Sequence, residues 1–296
     1  MPAEGPGKIS VTEVGSYTVA KTTQLTARKV MAYAASINDT NEAYFDDLRQ
    51  GGLRIHPAIC FSLQWNARFL IDRAINLRAA PFGVHAETDL RVYQPFKLNE
   101  AITTQGRLVS RKQIGPGVYS VDRYRLTNDD GQLLAELDYN GIIRGGELDG
   151  DDIELEPDIE TPVCERLPNQ PVWSEDIYIG VHAGQQYTEC ADIFNPIHTE
   201  PSVAKRAGLP GVILHGSATK AHALTQVINH CFGGDASRVR RLCGQLRGMV
   251  FMDSTISVQC MAIQQVQNEK QVFFRVLNDA GQAAIANGVV CGTLDC

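Results

Sequence analysis

Hydrophobic positions recur at helical spacing in two long stretches of the chain and alternate with polar positions in much of the rest. The two stretches are residues 51–75, GGLRIHPAICFSLQWNARFLIDRAI, and residues 207–232, AGLPGVILHGSATKAHALTQVINHCF. Apolar residues three and four positions apart predict one long helix with a buried face in each stretch. We expect these helices to begin near Pro57 and Gly216.

Strand-like segments with alternating polarity follow each predicted helix. The phrases TNDDGQ at 127–132 and LNDAGQ at 277–282 fall at matching places between such segments. Turn residues of the Asp/Asn-Gly kind between alternating runs are typical of β-hairpins. Each part of the chain therefore predicts a short irregular segment, one long helix and an antiparallel sheet, which is an α+β fold class.

This repeated order predicts an internal duplication. We call residues 1–146 the first half and residues 170–296 the second half, and we expect them to superpose with their sheets joined side by side. Between them lie residues 147–169, ELDGDDIELEPDIETPVCERLPN, which are acidic, rich in turn formers and poor in large apolar side chains. We interpret this connecting segment as a solvated linker.

The overall charge narrows the classes of function. The chain has 27 Lys+Arg against 34 Asp+Glu, a net charge of -7, and no basic run interleaved with aromatic residues, which excludes the usual pattern of a nucleic-acid binder. No apolar window is long enough to span a membrane. The eight cysteines lie far apart without metal-ligand spacing, and there is no Gly-rich phosphate loop. We expect a cytoplasmic protein without a metal or a nucleotide cofactor.

Candidate chemistry lies in the segment CADIFNPIHTE, residues 190–200. It holds Asp192, Asn195 and His198, and Pro196 keeps Asn195 out of a regular helix. A carboxylate and an imidazole on an irregular segment are the parts of a general acid/base pair. Taken alone, such residues more often only shape a turn.

The start of the second predicted helix adds a third component. Backbone N–H groups there have no partner within the helix, and the helix dipole adds positive charge. Gly216 has no side chain, so a substrate oxygen can approach its N–H closely. Ser217 fits a helix cap better than a nucleophile, because GSATK lacks the G-x-S-x-G frame. His215 precedes the helix and is assigned a supporting role, with a structural role as the alternative.

The pairing of NPIH with the downstream LHG resembles the MaoC-like dehydratase or (R)-specific enoyl-CoA hydratase family. The duplicated order of segments, over nearly the whole chain, resembles its double-hotdog members, in which each curved antiparallel sheet wraps around one long helix. The resemblance implies addition of water to an enoyl thioester, or its removal from the (R)-3-hydroxyacyl thioester. Asp192 and His198 would share one water, the Gly216 N–H would bind the thioester carbonyl, and Asn195 would brace the segment. CoA is the implied carrier, and a homodimer is a possible assembly.

One departure from the family pattern concerns the acid. The family pattern is Asp-x-Asn-Pro-x-His, whereas here Ile193 and Phe194 both separate Asp192 from Asn195. Strict alignment puts Ile193 at the acid's position. We expect a bulge to accommodate the extra residue so that Asp192 still reaches the water; the alternative is that the acid is lost and the chemistry differs.

The first half provides an internal control. It keeps the family spacing from Asp39 to Asn41, but it has Tyr44 where the second half has His198, and Pro57 where the second half has a glycine. Proline has no N–H to donate. We therefore expect the first half to bind the acyl chain rather than to catalyse, with Asp39 serving as a helix or turn cap.

Other functions remain open. A biosynthetic dehydratase or related lyase acting on a polyketide-like or dicarboxylic acyl group fits the altered Asp spacing. A non-catalytic acyl-binding hotdog protein fits a lost acid. A hotdog thioesterase fits less well, because the NPIH and LHG pair favours hydration.

Overall fold

The computed structural model describes residues 5–68 and 78–294. Apart from short 3-10 turns, the described part of the first half and the connecting segment contain two helices and eight strands. These are β1 (Lys8–Ser10), β2 (Lys21–Gln24), α1 (Ala27–Ser36), α2 (Ile59–Arg68), β3 (Gly83–Val92), β4 (Ala101–Ile114), β5 (Gly117–Thr127), β6 (Leu133–Arg144), β7 (Glu147–Asp149) and β8 (Ile153–Glu154). The end of the first predicted helical stretch, 69–75, lies outside the described residues.

The second half repeats this order with three helices and five strands in its described part. They are β9 (Trp173–Ile179), α3 (Ala183–Ala191), α4 (Pro201–Arg206), α5 (Gly216–Cys231), β10 (Val239–Leu246), β11 (Ser254–Val266), β12 (Glu269–Leu277) and β13 (Ala283–Thr293). The second predicted helix therefore begins at Gly216, and the first begins two residues after Pro57. Within the described ranges no helix is long and apolar enough to cross a membrane.

Most of the strands form one sheet. Its order is β2-β4-β5-β6-β3-β10-β13-β12-β11-β9, with β8 pairing β4 and all neighbours antiparallel. Read from the outer edge inward, each half uses its own strands in the same order. The antiparallel α+β architecture predicted from the alternating segments is therefore present. The two sets of strands join at one seam, between β3 and β10.

Charged side chains cross this seam as well as backbone hydrogen bonds. Asp89 on β3 faces Cys243 on β10 in the strand register, and its two carboxylate oxygens accept from Arg241 of β10 at 2.9 and 2.7 Å. Arg91, also on β3, donates to the same carboxylate at 2.9 Å and to Asp138 of β6 at 3.0 and 3.1 Å. Because each buried carboxylate has arginine partners, the cost of removing its charge from water is offset.

The helices and the sheet enclose one large hydrophobic core that includes residues of both halves. Helix α1 packs against α3, and the hydroxyls of Tyr33 and Tyr187 lie 3.3 Å apart between them. The α5 helix is buried along most of its length and packs on β10 to β13. This packing fixes the first turn of α5 near the seam.

The connecting segment lies against the first half. Glu156 pairs with Arg107, Arg123 and Arg125 at 3.1, 3.0 and 3.2 Å, and Glu154 pairs with Lys112 at 2.8 Å. Many of its other side chains are exposed, as the acidic composition indicates. The segment thus differs from the freely solvated linker that we expected, because basic side chains of β4 and β5 bind its carboxylates.

Candidate active site

The site is built around the first turn of α5. The backbone N–H groups of Gly216, Ser217 and Ala218 have no hydrogen-bond partner in the part of the chain that the structure describes, and no side chain caps this helix. Thr219 is the first residue whose N–H is bonded, to the His215 carbonyl at 3.0 Å. Free N–H groups at the positive end of a 16-residue helix favour an electron-rich oxygen.

Gly216 also has a packing role that the sequence did not indicate. A Cβ atom at this position would meet the methyl groups of Leu246, the last residue of β10. Any larger residue would require these methyl groups to move, so glycine suits this close approach of the helix start to the strand. The helix N-terminus is therefore held directly against the strand that forms the seam.

His198 closes a 3-10 turn, Pro196–His198, that Asn195 begins by accepting a hydrogen bond from the N–H of Ile197 at 3.4 Å. The asparagine thus caps this turn, and its bracing role in catalysis stays a prediction. The Nδ1 atom of His198 lies 2.7 Å from the carbonyl oxygen of Ile213, which only a protonated Nδ1 can satisfy. Burial lowers the pKa of His198 to about 4. At neutral pH the ring is therefore uncharged, with a lone pair on Nε2 that can accept a proton.

His215 lies directly against His198, with the ring centroids 3.7 Å apart. Its Nε2 is 3.1 Å from the Ile193 carbonyl and 3.3 Å from the Thr188 hydroxyl, while its Nδ1 is buried without a hydrogen-bond partner. Burial and the neighbouring His198 lower its pKa to about 2. The structure thus places a second neutral imidazole in contact with the first.

Ser217 does not cap the helix as we expected. The cap position belongs to His215, and Ser217 is the second residue of the helix, where its side chain lies near the buried hydroxyl of Tyr187. Burial raises the pKa of Tyr187 to about 12, and the contact with Ser217 opposes that shift. Ser217 therefore lies beside the buried tyrosine rather than at the cap of the helix.

Asp192 lies away from the two histidines in its contacts. It ends α3 in the left-handed conformation, with φ of 58°, and its own N–H donates to the Thr188 carbonyl. Its carboxylate accepts from Asn66 Nδ2 at 2.9 Å and lies 3.5 Å from Lys29 Nζ, with 65% of the side chain exposed. Among the described contacts no hydrogen bond joins Asp192 to His198. Its role as the acid stays a prediction.

The backbone explains this placement. Asn38 follows α1 with φ of 52°, as Asp192 follows α3, and both residue types tolerate the left-handed region. The next 3-10 turn begins four residues later in each half, at Glu42 and at Pro196. The second half therefore has no extra residue here, and Ile193 occupies the buried place that Asp39 occupies in the first half.

The corresponding region of the first half is a closed cluster. Asp39 is buried and accepts from the Thr225 hydroxyl of α5 at 2.8 Å and from the N–H of Asn41 at 2.9 Å. His56 Nε2 lies 3.2 Å from the same threonine oxygen, and Tyr44 packs edge-on against the His56 ring. The carboxylate thus both caps its turn, as expected, and holds the helix of the other half.

His56 also closes the start of α2. Its Nδ1 accepts from the N–H of Ala58 at 3.2 Å, and the next N–H groups along the chain bond to nearby carbonyls. Pro57 has no N–H at the position of Gly216. The first half accordingly presents no free donor at its helix start. The shared I/L-H dipeptide in IHP and LHG was the one sequence signal for this pair of histidines.

The chain matches two models of known families, one in each half. Residues 185–282 match the MaoC-like domain, and residues 12–137 match the FAS1-like dehydratase domain region. The first of these ranges includes the His198, His215 and Gly216 site. The second half of the chain therefore carries a MaoC-like domain.

Solved structures agree with this placement at the level of the fold. The MaoC-like dehydratase of Phytophthora capsici covers 97% of this chain and 100% of its own, with a TM-score of 0.83 at 19% identity. A Mycobacterium tuberculosis protein with a double hotdog fold covers 95% of this MaoC-like chain, with a TM-score of 0.61 at 11% identity. The predicted double hotdog fold is confirmed.

Curated relatives match over shorter lengths. Peroxisomal enoyl-CoA hydratase 2 of Arabidopsis thaliana is 36% identical over 63 residues, 21% of the MaoC-like chain. The matches to three curated relatives span 7%, 20% and 5% of those proteins' own lengths. The activity of this chain therefore has to be argued from its own site.

Proposed function

We propose that this MaoC-like chain is a hydro-lyase that adds water to an enoyl thioester or removes it from the 3-hydroxyacyl thioester, with CoA as the carrier. One observation supports the proposal above all others. The Ile213 carbonyl holds the proton of His198 on Nδ1, so Nε2 of this neutral ring can accept a proton. Ile213 lies three residues before Gly216, at the uncapped start of α5. A proton acceptor and an oxyanion-binding helix end together suit this chemistry.

In the proposed reaction the thioester carbonyl oxygen accepts a hydrogen bond from the Gly216 N–H. Electron density moves from the double bond toward that oxygen, so C3 becomes electrophilic and C2 can accept a proton. His198 Nε2 takes one proton from water as the water oxygen bonds to C3, and the same proton is then returned from His198 to C2, which leaves the histidine neutral again. One water is consumed and no other reactant is needed.

The role of Asp192 in this cycle is a separate proposal. To share the water, its carboxylate would have to exchange Asn66 and Lys29 for the water, because those are its present partners. Such an exchange is favoured because 65% of the Asp192 side chain is exposed, so its present contacts compete with water. Without the exchange, His198 would be the carrier of both proton transfers.

The first half is proposed to bind the acyl chain. Its Asp39 and His56 are satisfied by internal hydrogen bonds, and its helix start has no free N–H, so it lacks the parts of the reaction. We also propose that the chain assembles as a homodimer, which light scattering of the purified protein tests directly.

The reaction is tested by following the loss of conjugated absorbance when trans-2-enoyl-CoA substrates of several chain lengths are added. Turnover by the wild type, its loss in His198→Gln and its persistence in Tyr44→Phe are the expected results. Tyr44 is the matched control because it occupies the position of His198 in the first half. Absence of turnover with every chain length and with carrier-protein thioesters contradicts the proposal.

A non-catalytic acyl-binding protein is the second candidate, and the position of Asp192 is the observation that favours it. In that case the wild type and His198→Gln would bind a saturated acyl-CoA with equal affinity, and neither would turn over an enoyl-CoA. A calorimetric titration of both proteins separates the two functions.

A further inference from the structure

Lys220 is a buried cation in the central helix of the second half. It lies one turn after Gly216 and is only 1% exposed. Its Nζ has no hydrogen-bond partner among the described residues. The first half has Phe61 at the corresponding position, buried to 4% exposure. An apolar side chain therefore suffices for packing there. An unpaired buried amine costs free energy, which calls for a role other than packing.

The acidic groups near Lys220 do not satisfy it. Asp89 of β3 already accepts from Arg91 and Arg241. Glu87 of β3 interacts with Lys220 without an ion pair within 4 Å among the described contacts, and burial raises the pKa of this carboxyl. Burial in turn lowers the pKa of Lys220 to about 7. The amine thus lacks a counter-ion of its own.

Other ionisable groups surround it from neighbouring elements. Cys243 of β10 interacts electrostatically with Lys220, and burial raises the pKa of this thiol to about 12, so it stays neutral. His85 of β3 lies near both Lys220 and Arg68, and its pKa is well below the usual value because of burial and these two cations. No anion in this group offsets the charge of a protonated Lys220 directly.

The position of Lys220 relates it to the proposed carbonyl site. Four residues of helix correspond to about 6 Å along the axis, so the backbone of Lys220 lies about one turn after Gly216. Both residues face the seam: Gly216 packs on Leu246 of β10, and Lys220 lies by Glu87 and Cys243 of the paired strands. An acyl group whose carbonyl is bound at Gly216 can place a distal substituent near this turn.

We propose that Lys220 binds a carboxylate on the acyl group, so that the preferred substrates are enoyl thioesters of dicarboxylic acids. This inference rests on the proposed function of the same site. The substrate carboxylate supplies the missing counter-ion and forms a charge-assisted hydrogen bond with the ammonium group. Lys220 is then a specificity residue, since it contacts the substrate away from the bond that reacts.

Binding of two unreactive thioesters of equal length tests the inference. Succinyl-CoA and butyryl-CoA differ in a terminal carboxylate against a methyl group, and neither has a double bond to hydrate. We expect the wild type to bind succinyl-CoA at least about tenfold more tightly, and Lys220→Met to lose this preference. Lys21→Met removes an exposed lysine at the far edge of the sheet and should behave like the wild type.

Proton uptake separates a binding role from a structural one. At pH 8 the free amine is largely uncharged, so binding of succinyl-CoA should take up a proton, whereas binding of butyryl-CoA should not. Calorimetry in two buffers with different ionisation enthalpies measures this uptake. It should persist in Glu87→Gln and disappear in Lys220→Met.

Several outcomes would overturn the inference. These are equal affinity of the wild type for the two thioesters, binding of neither, or a preference for succinyl-CoA that survives in Lys220→Met. Turnover is scored separately with trans-2-butenedioyl mono-CoA and trans-2-butenoyl-CoA. A Lys220-dependent preference without turnover refutes the proposed hydro-lyase alone, and equal turnover of both substrates refutes the role of Lys220 alone.

Discussion

The two halves place a histidine close to the start of each central helix and use it in opposite ways. In the first half His56 turns its Nδ1 back onto the N–H of Ala58, so the start of α2 is closed. In the second half His215 points its Nε2 to the Ile193 carbonyl, and the first N–H groups of α5 stay without partners in the described structure. The partner of this histidine, together with Pro57 in place of Gly216, therefore separates a closed helix start from one that can bind a ligand oxygen.

The partners of the two acids show a related difference. Asp39 is buried and accepts from Thr225 of α5, whereas Asp192 is exposed and accepts from Asn66 of α2. In each case the central helix of one half holds the carboxylate that follows the first helix of the other half. The contact in the first half is sequestered from solvent, and the contact in the second half is open to exchange.

The largest expected effect comes from removing the donor at the start of α5. Gly216→Pro deletes the N–H proposed to bind the thioester carbonyl, and we expect no detectable hydration of enoyl-CoA. Proline is tolerated at the first position of a helix, but its Cβ requires the Leu246 methyl groups to move, so circular dichroism has to show a folded protein before activity is scored. The reciprocal variant Pro57→Gly should leave the activity of the wild type unchanged, and full activity in Gly216→Pro would exclude this N–H.

The next effect concerns the imidazole. His198→Gln should lower kcat by about a hundredfold or more, as for loss of a general base, with little change in KM. Because the pKa of His198 is about 4, kcat/KM of the wild type should be level from pH 5.5 to 8 and fall only as the pH approaches 4. A profile that rises through pH 6.5 would mean that this histidine is not the base.

Substitution of Asp192 and of Asp39 tests which of the two acids takes part in the reaction. If Asp192 exchanges its partners and shares the water, Asp192→Asn should lower kcat by about a hundredfold, and its effect should not add to that of His198→Gln. Asp39→Asn should cost much less in kcat. Wild-type activity in Asp192→Asn would leave His198 as the proton carrier, and an essential Asp39 would move the acid to the first half.

The stability of the protein should depend on pH through its buried histidines. Burial lowers the pKa of both His56 and His222 to about 4, below the value of an exposed histidine near 6.5. The unfolded state then binds protons first, so stability is full above pH 6.5 and falls as the pH drops from 6.5 toward 4. Urea unfolding at pH 7.5 and pH 5 measures the loss, which should be smaller in His222→Gln.

The smallest effect is expected from the two helix-to-acid contacts. Thr225→Val leaves the buried Asp39 carboxylate without one donor and should lower the free energy of unfolding by about 1–3 kcal/mol. Asn66→Ala removes a contact to the exposed Asp192 and should cost less than about 1 kcal/mol. Urea titrations of the two variants at one pH test the ranking, which equal losses would contradict.

The order of the helices and strands could be predicted from the sequence, as could the turn that contains Asn195 and His198. Helical periodicity located the start of α5, and the matching turn phrases indicated the duplicated antiparallel sheets. Local sequence could not show that His215 stacks on His198, because that contact depends on how two loops meet. It also could not show that Lys220 is buried, because α5 is covered on nearly all sides and the packing elements that cover it are distant in sequence.

The sequence could not predict where the Asp192 side chain points, because that depends on the backbone conformation at the end of α3. Counting residues between the acid and the asparagine suggested a bulge, but the left-handed residue that ends α3 sets the register, as Asn38 does after α1. Asp is well suited to that conformation, so local backbone preference alone explains its presence there. The connecting segment behaved similarly, since its charge was evident but the arginines that bind it were distant in sequence.

The seam between β3 and β10 has a consequence for how such a chain can be divided. Separating the two halves would strip each of a neighbour and leave a long row of unpaired backbone groups along its inner strand. It would also leave the Asp89 carboxylate without Arg241. An isolated half should therefore associate with copies of itself or aggregate. Joining the two halves in one polypeptide lets their sequences diverge while each still covers the exposed strand edge of the other.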